Sequence, residues 1–418
     1  MELHRAALRG DTRGVKRQLA TGTPVDTKAP DLWGRTALML AAGSEHADLA
    51  LLKLLVSHGA DVNAIADVDI IGIESGETPF SCASGSVEKM RYLLTVGANP
   101  FTGRGASKRL GWTTSIQALK FQLELGFDPT IWEDHGPSML VSASRDCDWE
   151  KLKLFEEFDF CLDSLYWTEL MHDIIFGSAQ RVAEHLSNGG DDHRVDFWER
   201  SPLLLSICSG SIQKAQLVLD AGGSLDDRGR ANESAIDCAI LSKSSEMLSW
   251  LLLLGLNANM RGISGYSPLM SAAEKKNPNA IKILLEHGAV VNATAEFDMQ
   301  AINFVEDAAT MKLLAAAGAD INHMDKTGSF PLLAAVEACS IELMRCLLEL
   351  GAHVDNRSYG MAALHQATNY DELEIMKLLL SAGADPNLPG EDGLRPLWYA
   401  KSHDAAKILV DAGASSTR

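Results

Sequence analysis

Apolar residues along this chain fall into short clusters that alternate between two phrases. One phrase is a Leu-rich stretch at helical spacing, as in Ile281, Leu284 and Leu285 or Met376, Leu379 and Leu380. It runs directly into Gly, a small residue, and Asp or Asn. Copies read HGADVN at 58–63, VGANPF at 96–101, LGFDPT at 125–130, HGAVVN at 287–292, AGADIN at 317–322, LGAHVD at 350–355 and AGADPN at 382–387. The other phrase lies about twenty residues before each glycine: TALMLAA at 36–42, TPFSCA at 78–83, SPLLLSI at 201–207, SPLMSAA at 267–273, FPLLAAV at 330–336, AALHQAT at 362–368 and RPLWYA at 395–400. Thr/Ser-Pro predicts a helix start, because the hydroxyl caps free N–H groups and proline suits the first turn. The Leu-rich stretch predicts a second helix, which glycine ends in a left-handed cap. The Asp-Val-Asn that follows predicts an extended finger.

The terminating glycines are Gly22, Gly59, Gly97, Gly126, Gly189, Gly222, Gly255, Gly288, Gly318, Gly351, Gly383 and Gly413. Successive gaps are 37, 38, 29, 63, 33, 33, 33, 30, 33, 32 and 30, so the period is close to 33 and the gap of 63 holds two periods with one glycine lost. A unit of this length with T-P-L-H-x-A-A and a later L-L-x-x-G-A-D-V-N resembles the ankyrin repeat. The resemblance covers essentially residues 2–418, in about thirteen units. It implies an all-α repeat solenoid of stacked helix-turn-helix units with β-turn fingers. One unit cannot bury its apolar face alone, so neighbours supply the core.

The resemblance also implies protein binding through variable residues just before the T-P phrase. Mapped onto this chain, these are Trp33 and Arg35; Phe197, Trp198 and Arg200; Tyr266; Phe297 and Met299; and Tyr359 and Met361. His4 and His365 fall in the family's histidine slot, for which the resemblance implies a structural ring that hydrogen-bonds to a neighbouring finger.

Three stretches differ in regularity: N-terminal units over 1–100, degenerate acidic units over 101–199, and regular units over 200–418. Arg5, Arg9, Arg13, Lys16 and Arg17 give the first unit a polar, cap-like face, and the last unit stops just after Gly413. The expectation is a capped array without an appended domain. The finger over 64–75 is longer than the others and is expected on a binding face.

Composition narrows the partners. Of 418 residues, 46% are hydrophobic and 22% charged, the profile of a folded protein. Lys+Arg number 37 against 56 Asp+Glu, a net charge of −19, which argues against nucleic acid or an anionic membrane as ligand. The N-terminus lacks the apolar stretch of a secretory signal, and no apolar run nears the ~18 residues of a membrane span. Seven scattered cysteines without a CxxC fit a reducing compartment, so a cytoplasmic monomer is expected. Residues 133–199 hold 16 acids and 5 bases; within this belt Asp191, Asp192, Asp196 and Glu199 would suit a basic protein partner.

Chemistry is sparse. HExxH, GxSxG and a Walker loop are absent, and Gly103-Arg104-Gly105 lacks the third glycine of a dinucleotide fingerprint. His172 and Asp173 are adjacent on a predicted helix and so point in different directions. Cys82, Cys238 and Cys346 fall in core slots. No cofactor, metal or catalytic step is expected. The reading is a binding scaffold or adaptor. The alternative is a dedicated inhibitor or immunity protein that blocks a basic toxin or enzyme. A remoter one is an enzyme with a site on units 101–199 around His135 and His172.

Overall fold

The computed structural model describes residues 2–29, 34–66, 76–103, 115–132, 136–189, 194–262, 265–390 and 393–415. The chain divides into two compact units, Met1–Tyr166 and Trp167–Arg418.

The first unit contains five repeats. Glu2–Leu8 pairs with Thr12–Ala20, Ala37–Gly43 with Leu49–Ser57, and Pro79–Cys82, extended by a 3-10 turn at Ala83–Gly85, with Val87–Thr95. The fourth repeat contributes its second helix, Ile116–Glu124, and the fifth pairs Met139–Arg145 with Trp149–Glu157. The second unit contains eight. Glu169–Ile175 pairs with Ala179–Ser187, Pro202–Cys208 with Ile212–Asp220, Ala235–Leu241 with Ser245–Leu253, and Pro268–Glu274 with Pro278–Glu286. The 3-10 turn Ala301–Phe304 pairs with Ala308–Ala316, Pro331–Glu337 with Ile341–Glu349, Ala363–Asn369 with Leu373–Ser381, and the 3-10 turn Pro396–Tyr399 with His403–Asp411. The architecture is an all-α repeat solenoid of thirteen repeats, twelve of which show both members of the pair among the described residues.

Local chemistry sets the boundaries. First helices open on Thr36, Thr78, Ser138, Thr168, Ser201, Ser234 or Ser267, each accepting a backbone N–H three residues on. Second helices are capped the same way by Asp11, Asp48, Ser86, Ser115, Asp148, Ser178, Ser211, Ser244, Asn277, Asp307, Ser340 and Ser402. Only Glu372, before Leu373–Ser381, makes no such bond. Each cap contributes about 1 kcal/mol.

Every terminating glycine has positive φ, from +77° at Gly189 to +110° at Gly222. A Cβ built at Gly222 or Gly383 would meet nothing within 4 Å, so the backbone angle, not crowding, selects glycine. The missing thirteenth terminator is Asp159, at φ +60°. Aspartate is one of the few side chains that tolerate this region, which is how one glycine is lost without losing the repeat.

Successive repeats are stitched at the turn after the second helix. Asn63 Nδ2 donates to the Gly97 carbonyl at 3.0 Å, and its Oδ1 accepts the Asn99 N–H at 2.7 Å. Asn259, Asn292, Asn322 and Asn387 repeat both contacts one unit further along. At the same place Asp355 accepts the Asp385 N–H at 3.1 Å but has no N–H of its own to donate.

Two buried lysines add a second stitch. Lys89 Nζ donates to the Ala41 and Ser44 carbonyls at 3.1 and 2.6 Å, and Lys214 Nζ to the Ile174 carbonyl at 2.7 Å. Each ammonium meets the negative end of the preceding repeat's first helix. Burial lowers both lysine pKa values, opposed by Asp48 and Asp173 respectively. The apolar core runs between neighbouring repeats, as with Leu203, Leu204, Ile236, Leu269 and Leu332, all essentially inaccessible.

Candidate protein-binding surface

The fingers arise between a second helix and the following first helix and are numbered by the repeat they precede, and two of their positions matter. The residue two places before a first helix turns toward the next finger. The residue four places before sits at the tip.

The inner position is a packing row. Arg35 Nε donates to Glu77 Oε2 at 2.6 Å and its Nη2 to Oε1 at 2.8 Å, each side chain 27% exposed. In the second unit the same register joins Arg200 to Glu233, at 2.6 and 3.1 Å, with Arg200 only 1% exposed. Tyr266 lies against the Phe304 ring at 5.0 Å. Met299 and Met361 are half-buried. The expectation that Arg200 faces a partner is therefore corrected: its guanidinium is enclosed between two fingers.

The tip position is different. Phe297 is 59% exposed at φ +55° and Tyr359 is 75% exposed at φ +46°. Each is followed by a second left-handed residue, Asp298 at +62° and Gly360 at +76°. Tyr359 and Gly360 form the turn of a two-residue hairpin in which Ser358 pairs with Met361. Such turns strongly prefer Asn-Gly or Asp-Gly, so a bulky aromatic at the first position is strained. The fingers support one another: the Lys326 N–H donates to the Phe297 carbonyl at 2.7 Å, and a Cβ on Gly328 would come within 3.1 Å of the Tyr359 ring.

At the seventh finger, Phe197 and Trp198 meet edge to face at 5.0 Å and 82°. The Arg230 guanidinium of the next finger lies over both rings, at 4.9 and 5.6 Å, and contacts Glu199 at 3.3 Å. Tyr166, next to the tip position and not singled out by the sequence pattern, is also left-handed, at φ +59°, and exposed. It lies three residues before Glu169–Ile175, and the poor match of that unit to the repeat pattern concealed it.

Of the four acidic-belt residues, Asp196 and Glu199 lie among the described residues, and only Glu199 faces solvent. Asp196 is buried, its Oδ1 accepting the Trp198 and Arg200 N–H groups at 2.8 Å each. Burial foremost pushes its carboxyl up to about 6, against the pull of Arg200. Glu199 is exposed but paired with Arg230. Trp33, Asp191, Asp192 and His135 lie outside the described residues, as does most of the long finger over 64–75.

The titratable groups of the middle units are engaged locally. His172 packs on Phe176 at 5.3 Å. The Asp173 carboxylate binds His185 Nε2 at 2.8 Å and Arg181 Nε at 3.1 Å, partners on the second helix that adjacency in sequence did not reveal. His4 Nε2 donates to the Thr27 carbonyl of the next finger at 2.6 Å, the structural role its slot implies. Among the described residues, no group of three or more His, Cys, Asp or Glu side chains is placed to hold a metal ion, and no helix is long and apolar enough to cross a membrane.

A family model described as "Ankyrin repeats (3 copies)" matches residues 3–102 and 299–390, and one described as "Ankyrin repeat" matches 264–296; together they cover more than half of the chain. The chain belongs to the ankyrin-repeat family. It is similar to the mouse B-cell lymphoma 3 protein homolog, 26% identical over 229 residues, which are 52% of this chain and 51% of that one. It is 32% identical to the chicken nuclear factor NF-kappa-B p105 subunit over 175 residues, 40% of this chain and 18% of that one. Among solved structures, the human ASB11 ankyrin repeat domain matches 52% of this chain and 100% of its own, with a TM-score of 0.46 and 24% identity. The matches span about half, or less, of these two curated relatives' own length.

Proposed function

We propose that this ankyrin-repeat chain is a protein-binding scaffold whose contact row is the finger tips, with Phe297 and Tyr359 at its centre and Phe197 and Trp198 further along. One observation carries the reading: large aromatic side chains sit exposed at left-handed turn positions where glycine or asparagine would be less strained. Strain of this kind persists where it serves a site, and exposed aromatics are the side chains that anchor interfaces. A partner of ordinary interface size, roughly 1,600 Å² in total, would cover only some of the fingers. The reading assigns no catalytic step and no cofactor.

The test compares proteins retained from native lysate by the intact chain, by Phe297→Ala with Tyr359→Ala, and by Leu253→Ala. Leu253 is an equally apolar control, 79% exposed at the end of a second helix rather than on a finger. The expected result is one or more stoichiometric partners lost from the finger variant and kept by the Leu253 variant. A partner set indifferent to both finger substitutions would overturn the proposal.

A further inference from the structure

We propose that Asp196 is a proton-operated latch between the seventh and eighth fingers. Carrying a proton, it keeps the finger that bears Phe197 and Trp198 closed. Ionised, it favours opening of that finger.

Three ionisable side chains are buried together at this junction: Asp196, Arg200 and Glu233. One cation faces two carboxylates, so the fully ionised trio leaves a net negative charge in the core. Glu233 uses both oxygens on the Arg200 guanidinium. Asp196 uses only Oδ1, on the Trp198 and Arg200 N–H groups, while its buried Oδ2 has no hydrogen-bond partner. An ionised carboxylate oxygen in that state is costly, and uptake of one proton relieves it. The proton goes to Asp196 Oδ2, the one carboxylate oxygen of the trio without a donor. Among the described residues, the exposed Glu199 and Arg230 also stand here, paired with each other across the two tips, and the exposed Arg194 lies two residues before Asp196.

Burial raises the Asp196 carboxyl from 3.8 to about 6, with Arg200 opposing and Glu233 reinforcing the rise. The sign follows. Between those values the closed junction holds a proton that the open one releases. Closure is therefore favoured at the acid end and weakens as pH rises through about 6. The eleventh finger is an internal contrast. Asp325 holds the equivalent turn through the Thr327 and Ser329 N–H groups, but Ser329 stands where Arg200 would be, so no buried ion pair adjoins it.

For binding, this inference rests on the finger-tip reading, but the latch itself can be tested without any partner. Hydrogen exchange of the full chain is followed at pH 5 and pH 7.5, corrected for intrinsic rates, in peptides containing Trp198 and Arg200. Opening is expected to increase on the order of 10-fold or more at the higher pH, relative to peptides around Thr327. Asp196→Asn should abolish the difference. Glu233→Gln, which removes the reinforcing charge, should move the midpoint to lower pH. Equal pH dependence at the seventh and eleventh fingers would overturn the latch, as would an unchanged response in Asp196→Asn or an unmoved midpoint in Glu233→Gln. None of these outcomes depends on whether Phe197 and Trp198 bind a partner.

Discussion

Arg35 and Arg200 hold the same place in their repeats and the same kind of partner, yet burial gives them different weight. The Arg35–Glu77 pair is about a quarter exposed, so water and salt screen it. Arg35→Ala should cost about 1 kcal/mol or less. Arg200 is enclosed, and its removal leaves Glu233 charged and unpaired in the core. Arg200→Ala should therefore cost about 3–5 kcal/mol, read as a lower urea midpoint or faster exchange around the seventh and eighth repeats. Equal losses in the two variants would contradict the assignment of burial. Phe297 makes the opposite case. Its φ of +55° suits glycine, so Phe297→Gly should leave stability unchanged or raise it by up to about 1 kcal/mol while partner affinity falls. A variant both less stable and equally tight in binding would remove strain as the mark of the site.

At the scale of elements, the repeat depends on caps and stitches that some positions lack, Glu372 and Asp355 among them. Glu372 leaves its helix uncapped, so Glu372→Ser should stabilise the twelfth repeat by about 1 kcal/mol. Asp355→Asn should add the missing donation to the Gly383 carbonyl, for roughly 0.5–1.5 kcal/mol. Slower exchange in Leu373–Ser381 checks both, and faster exchange would count against the stitch. These elements also explain what could be read in advance. The glycine period was visible because only a few residues accept the left-handed turn, and Asp159 hid one unit by being one of them. The caps of the second helices are not legible in the repeat pattern, because Asp, Ser and Asn share that role and leave no single-letter signal. The inner and tip positions of a finger lie two residues apart and look alike in sequence. Only the side-chain contacts separate Arg200, Tyr266 and Met299, which pack, from Phe297 and Tyr359, which project.

At the scale of the whole molecule, each of the two units is held by contacts between neighbouring repeats, so stability is close to a sum of repeat and interface terms. Lys89 and Lys214 each tie one repeat to the one before it. Removing one stitch should accordingly loosen a pair of repeats, and a finger-tip substitution should alter binding without altering the stack. That separation makes the contact row directly testable. A photocrosslinking amino acid is placed at Tyr359 in one full-length chain and at Leu253 in another, and each is irradiated in native cells. The account predicts a discrete crosslinked protein at position 359 and none of it at position 253. The same adducts at both positions, or adducts at 253 alone, would contradict the claim that the finger tips are where this protein binds.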